Sequence, residues 1–563
     1  MEQARLFMAV ALSIIVFVIW DHFFVPKQPM NPPGSQEITE SITSDALKST
    51  GETTGLNPSL KVDSKPAIPS DPNRIAKKIT VNTNLLEIII SESGGVIESC
   101  RLNNYTETLN GDQKKEIVTA PVDIGTLQFD FLNKSVPDLQ YAIFQVDNDS
   151  TKINATDHPQ TLTLKWTSET GITIIKAYTF TPDSYLFNYD VTIQNNSGGN
   201  INDSIRLSLV NNFPEKRGYA FEGPCALIDD SLEEVKLNKI KKQSIYPGDI
   251  QWIAVQNRYF MTGIIPEAKD RISMHLATAK TNILDGTDTE QTYDHLDTHL
   301  VQEFNPILPN TQTTFDYQIY FGPKSVQILK NTGYRLDKAV NFGWFDFLAK
   351  PCLWLMNFFH QFIPNYGLAI IFLTILVKLI FWPLGNKSYK SMNDMKKIQP
   401  LIAQLNEKYK NDPQKKNQEM MALYKTYKIN PLGGCLPMLV QMPIFFALYR
   451  MLYSAIELRH APFIGWINDL SAPDRLFDFG VQIPFFEPPT GIPVLTLVMG
   501  ASMFVQQKMS PPAGDPSQAR MMMMMPIFMT LIFINFSSGL VLYWLVNNIL
   551  SIAQQYYISR KTN

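Results

Sequence analysis

The chain is short of cysteine and of net charge, and each shortage rules something out. Among 563 residues there are four cysteines, Cys100, Cys225, Cys352 and Cys435, and no two form a CxxC pair. No Cys/His cluster has zinc-ligand spacing, so a zinc finger or ribbon is excluded. Cys100 and Cys225 both fall in the part placed outside the cytoplasm. A disulfide between them stays open, with two separate thiols as the preferred reading. A net charge of −3 offers no basic field to nucleic acid, and no nucleic-acid motif is present. No glycine-rich phosphate loop occurs, so no nucleotide motor is written here. Paired carboxylates at working distance and nucleophile motifs are also missing, so no covalent catalysis and no cofactor are expected.

What is present is unevenly spread. Leu6–Trp20 is an apolar run behind Arg5, with no small-residue cleavage site after it. Residues 1–25 are therefore predicted to be an uncleaved signal-anchor span with the N-terminus in the cytoplasm. Residues 26–76 are rich in Pro, Ser, Thr and Asp, and cannot bury enough surface to offset their ordering entropy. They read as a disordered tether. Over 77–325 the apolar period becomes two. Leu162, Leu164 and Trp166 alternate with Thr161, Thr163 and Lys165. After the turn Ser168–Gly171 the pattern resumes at Ile172 and Ile174, then at Tyr185, Phe187, Tyr189, Val191 and Ile193. Half-buried antiparallel strands of this number predict a large β-sandwich. Its histidines, including His295 and His299, are read with the acidic residues as scattered surface charges. Residues 326–364 are read as a linker and an amphipathic helix. Trp344, Phe345, Phe347, Trp354, Phe358, Phe359 and Phe362 crowd this stretch, interrupted by Asp346, Lys350 and Pro351. It is predicted to lie in the outer membrane–water interface; a core helix of the β domain is the alternative.

The last third is organised around Gly367–Leu384, an apolar run with one charge inside it, Lys378. A lysine in mid-membrane costs roughly 2.5–3.5 kcal/mol, so its ammonium needs water, a partner or a task. Thr374 lies one turn earlier on the same helix face. Further spans are predicted at about 435–456, 492–507, 521–537 and 539–557, beside the first at about 365–384. Tyr543, Asn547, Ser551 and Gln554 share one side of the last span, and Gln441 sits in the span at about 435–456. These polar groups either line a hydrated cavity or hydrogen-bond between helices. No acid lies within any span to pair with Lys378. Residues 385–431 carry a lysine excess, which marks the cytoplasmic side. Met395, Ile398, Ile402, Leu405 and Tyr409 make one coiled-coil-like seam there. Asp412-Pro413 starts a second helix, with Met420, Leu423, Tyr424 and Tyr427 as its seam. The Met521–Met525 run suits either a variable partner surface or a lipid-facing helix. The expected architecture is an α-helical polytopic membrane protein with six spans. It has a five-helix core (365–563), a cytoplasmic helical hairpin and a large antiparallel β-sandwich outside, with both termini in the cytoplasm.

Several stretches resemble the YidC/Oxa/Alb membrane protein insertases. They are Asn430-Pro431-Leu432-Gly433-Gly434-Cys435, Gln441-Met442-Pro443-Ile444-Phe445, Ser538-Gly539-Leu540-Val541-Leu542-Tyr543-Trp544 and Gln418–Lys425 in the hairpin. The anchor, the tether and Gly248-Asp249-Ile250 with Trp252-Ile253-Ala254 and Tyr259-Phe260 resemble the Gram-negative form with its periplasmic domain. The resemblance implies an inner-membrane insertase and chaperone without nucleotide hydrolysis. It also implies a hydrophilic groove holding a positive charge that attracts acidic, hydrophilic parts of an incoming chain. Thr374, Gln441 and Trp544 fall at positions similar to groove or substrate-contact sites. Tyr543 and Asn547 join them on the polar face of the last span. The hairpin residues Met395, Ile398 and Tyr424 are expected to meet the client. Expected partners are nascent membrane proteins and the phospholipid bilayer, with the Sec translocon and the ribosome as further candidates. The family usually has arginine where this chain has Lys378; lysine keeps the charge but loses the planar fork. An anion transporter, a carbohydrate-active β domain and a passive assembly scaffold are the rival readings.

Overall fold

The computed structural model describes residues 76–562 except 138, 140–141, 148–149, 216–217, 219, 270, 285–289, 411, 428–435, 482, 484–485, 488 and 510–515. The predicted anchor, the tether up to its last residue and the Asn430–Cys435 motif lie outside the described residues. The chain divides into two compact units, and residues 409–417 do not belong to the one that holds the β domain and the helical region.

The β domain contains nineteen described strands, from β1 (Lys78–Asn82) to β19 (Thr311–Pro323). The period-two pattern places them. In β8 (Gln160–Thr167), Leu162 and Leu164 are buried while Thr161 and Lys165 face out. The turn to β9 (Ile172–Phe180) closes with the Gly171 amide donating to Ser168 O at 3.1 Å. Gly171 has φ +88°, and a Cβ there would lie 2.9 Å from Asn196 O, so only glycine fits without strain. β10 (Leu186–Asn195) follows with Phe187, Tyr189, Val191 and Ile193 buried. The strands form three sheets of five, nine and five strands. Alternation fixes which face of a strand is wet, but not which sheet the strand joins. One pair, β1 with Lys152–Asn154, is parallel. Cys100 and Cys225 are buried free thiols in different sheets, as the separate-thiol reading has it.

The histidines correct the sequence reading. His299 is only 9% exposed and bonds Ser208 through Nδ1 at 2.7 Å. Burial pushes its pKa down to about 4, so the ring is neutral at pH 7. His295 bonds Asn212 Oδ1 at 2.9 Å and Asp297 at 3.2 Å. His299 is thus a buried neutral group, while Asp297 beside it on the same strand raises the pKa of the part-buried His295. Their strand, Glu290–Glu303, lies between two others in its sheet, which sets His295 opposite Asn212 and His299 opposite Ser208.

The helical region runs α1 (Asp346–Phe362), α2 (Tyr366–Ile380), α3 (Trp382–Lys408), α4 (Pro413–Thr426), α5 (Leu436–Ser454), α6 (Val494–Met509), α7 (Pro516–Phe533) and α8 (Ser538–Thr562). The central run does not continue as one helix to Leu384. It bends by 65° between α2 and α3. Pro383 explains the break: it cannot donate to Leu379 O, and its ring would clash with that carbonyl. In the first turn of α3 it is tolerated. Among the described residues no single helix is both long and apolar enough to cross a membrane, although α2 and α3 meet that test together. α1 buries Ala349, Leu353 and Met356 and turns Phe347, Trp354 and Phe362 outward, Trp354 being 65% exposed. In the hairpin Ile398 and Ile402 are buried as the seam predicts. Tyr427, expected on the second seam, is 50% exposed. It lies just past the last turn of α4. The predicted cap at Asp412 is present, its carboxylate accepting from the Lys415 amide at 3.1 Å.

Two arginines tie the β domain to the C-terminal end of α5 and the loop after it. Arg258 donates to Tyr453 O at 2.7 Å and stacks 3.7 Å over the Tyr453 ring. Arg459, just past α5, reaches back to Thr106 O at 2.6 Å and Glu107 O at 3.0 Å. Between them Ser325 donates to Glu457 at 3.1 Å, and burial raises the pKa of that carboxyl.

β9 also carries a lysine inward. Ile172, Ile174, Lys176, Tyr178 and Phe180 share its buried face, and Lys176 is 0% exposed. Its Nζ donates to Gly94 O at 2.6 Å and sits 4.5 Å from the Phe144 ring centre. Burial lowers its pKa from 10.5 to about 7, with Asp130 opposing weakly. Between those two values the unfolded chain holds a proton that the native state has released, so stability should rise with pH from about 7 to 10.5. Lys176→Met should remove this slope and raise the melting temperature of the full-length protein in detergent by roughly 5 °C or more near pH 7. Thermal unfolding at several pH values would show it, and an unchanged slope would refute the assignment.

Candidate functional site

The site is built on α8, which packs against α2, α3, α5 and α6. Its sequence places Tyr543, Asn547 and Ser551 at four-residue steps, so they form one stripe along the helix. The stripe meets three helices, α2, α3 and α5. Tyr543 is buried and shares a hydrogen bond with Gln441 of α5. Asn547 and Ser551 both receive the ammonium of Lys378 from α2: Nζ lies 3.4 Å from Asn547 Oδ1 and 2.6 Å from Ser551 Oγ. Ser551 passes its own proton to Asn547 O at 2.7 Å. From α3, Tyr389 hydrogen-bonds Ser551 as well.

Lys378 is half-buried and, among the described residues, no carboxylate pairs with it. Its two partners among the described residues are neutral oxygens. An ammonium has three donors, so one direction stays available. The arrangement can present a fixed positive charge to an anionic or strongly polar group. Among the described residues no group of three or more His, Cys, Asp or Glu side chains could hold a metal ion.

The structure thus brings together Lys378 and Asn547, and separately Gln441 and Tyr543. Thr374 is buried one turn from Lys378, but its hydroxyl donates to Ile370 O of its own helix at 2.6 Å. Trp544 faces away from the stripe, its ring 4.7 Å from Phe445 and 5.0 Å from Phe533. It joins α5, α7 and α8. Met395 and Tyr424 are half-buried and Ile398 is buried, each on the hairpin helices. Sequence reasoning left Ser551 open between cavity lining and helix-to-helix bonding, and it missed Tyr389, Asn386 and the partners of Gln554. The polar stripe was a usable signal for Ser551. Nothing in the pattern flags Tyr389, because the bend at residues 380–382 is what carries α3 back along α8.

Residues 78–355 match the YidC periplasmic domain family, and residues 358–563 match the 60Kd inner membrane protein family. The chain is 37% identical to the membrane protein insertase YidC of Syntrophus aciditrophicus over 98% of its own length and 99% of that protein. It is 37% identical to the YidC of Pelobacter propionicus over 100% of both chains. It is 38% identical to the YidC of Citrifermentans bemidjiense over 99% of both.

The base of α3 is latched to α8 below the stripe. Gln554 Nε2 donates to Trp382 O at 3.1 Å and to Asn386 Oδ1 at 2.9 Å. Gly385 makes this approach possible, since a Cβ there would lie 2.7 Å from Gln554 Nε2. Gly385→Leu should therefore cost roughly 1–3 kcal/mol of stability, seen as a lower melting temperature in detergent. In a Gln554→Ala background the same change should cost clearly less. Equal losses in both backgrounds would refute the latch.

Proposed function

Because this chain belongs to the YidC family of membrane protein insertases, we propose that Lys378 is the working charge of a hydrophilic groove through which it inserts its clients. The chain is an inner-membrane insertase with a periplasmic domain rich in antiparallel sheets and a helical C-terminal region. It acts on membrane proteins in the bilayer. In the proposed topology six spans cross the membrane: the anchor at 1–25 and five in 365–563. Both termini and the hairpin 385–431 lie in the cytoplasm, and residues 77–325 lie in the periplasm on the tether 26–76. α1 then lies in the outer interface with its exposed aromatic face in lipid.

The hairpin meets a client through Met395, Ile398 and Tyr424. The polar flank of the client moves part-way into the bilayer beside Lys378, Thr374, Gln441, Tyr543 and Asn547. Its apolar segment leaves past Trp544 and α5 into lipid. A wet groove lowers the barrier because the polar flank never crosses about 30 Å of hydrocarbon unsolvated. Burial of the apolar segment drives the step at about 25 cal/mol per Å², so nucleotide hydrolysis is not required. A translocon or a ribosome would deliver the client without altering this step. The observation that carries the reading is the Lys378 ammonium held by the neutral oxygens of Asn547 and Ser551.

Lys378→Ala in proteoliposomes should slow insertion of clients with acidic external segments about fivefold, the effect of an attraction on the order of 1 kcal/mol. Clients with neutral segments should be much less affected, and an equal loss for both would count against charge attraction. Lys378→Arg should keep activity, since the charge is retained. Crosslinkers at Thr374, Gln441 and Trp544 should capture a stalled client, and a client captured at none of them would sink the groove.

A further inference from the structure

The hydroxyl of Ser551 has three partners. A serine oxygen has one proton to give and two lone pairs. The proton goes to Asn547 O at 2.7 Å. One lone pair takes the Lys378 ammonium at 2.6 Å. Tyr389, on the same face of α3 as Gly385 and Asn393, shares a hydrogen bond with the same hydroxyl. Tyr389 is itself held in place, because the first turns of α3 are fixed to α8 by the Gln554 bonds and the close approach at Gly385. Farther along α3, Asn393 accepts from Ser559 of α8 at 3.4 Å.

A lysine head is a point charge on four flexible methylenes. Left alone in a half-buried site it would sample several rotamers and snorkel toward water. Here a single hydroxyl, oriented on both sides, gives it one address. We propose that Ser551, backed by Tyr389 from the base of the hairpin, is a positioning pair that fixes the Lys378 ammonium against α8. The pair touches the ammonium on one side and the first hairpin helix on the other. A displacement of α3 at Tyr389 therefore changes how Lys378 is held, which couples the cytoplasmic hairpin to the charge. This rests on the proposed role of Lys378 only for its consequence in insertion; the positioning itself is geometric.

The test uses the full-length protein in proteoliposomes and reads Lys378 directly. Acylation of its amine by a water-soluble reagent is followed by mass spectrometry at fixed pH. Ser551→Ala and Tyr389→Phe should each speed that acylation by about threefold or more, as expected when one hydrogen bond is lost. Ser551→Thr, which keeps the hydroxyl, should restore the original rate. In parallel, both variants should slow insertion of clients with acidic external segments and spare neutral ones. An unchanged acylation rate in both variants overturns the positioning pair, even where Lys378→Ala remains selective for acidic clients. Faster acylation with unchanged insertion upholds the pair and overturns the role of Lys378 in insertion.

Discussion

The helical region depends on one interaction: an ammonium taken out of bulk water and given neutral oxygens in place of a carboxylate. A buried ion pair would cancel its own field. Asn547 and Ser551 instead solvate Lys378 without neutralising it. That choice dictates much around it. α8 must be helical through the site so that its polar residues fall four apart. α2 must end soon after Lys378, and Pro383 ends it. α3 must then return along α8, where Gly385 leaves room for Gln554 to lock it.

The same helix that supplies Gln441 is held at its far end by the β domain. α5 meets α8 through Gln441 and Tyr543 at its middle and through Phe445 and Trp544 one turn on. Its C-terminal end is fixed by Arg258 on Tyr453, and the following loop by Arg459 on Thr106 and Glu107. Guanidinium groups suit this task, since each makes several bonds to carbonyls in one plane while stacking on a ring. The periplasmic domain thus braces α5 at its C-terminal end. In the proposed arrangement, movement of α5 would be concentrated toward its cytoplasmic end.

Much of the fold could be read from the sequence because period two and period 3.6 are local properties. Leu162, Leu164, Phe187 and Tyr189 declare their buried faces, and the stripe on α8 declares its own. The sorting of strands into three sheets was not legible, since it depends on long-range pairing that alternation does not encode. The bend was half legible: Pro383 signals a stop, but nothing local gives the direction of α3. That direction is what brings Tyr389 to Ser551. Thr374 shows the opposite limit. Its place on the face was clear, but its hydroxyl turned to its own backbone, a habit of threonine in helices.

Two lysines show how the same side chain takes different roles. Lys176 was carried inward by strict alternation and meets aromatic rings and one carbonyl. It has no exposed surface, so no ligand can reach it, and its cost falls on the stability of the domain. Lys378 sits at a helix end beside a bend, half-open, with two side-chain oxygens set to keep its charge. Burial alone therefore does not mark a functional lysine. What separates the two is access together with partners that favour the charged form, and only Lys378 has both.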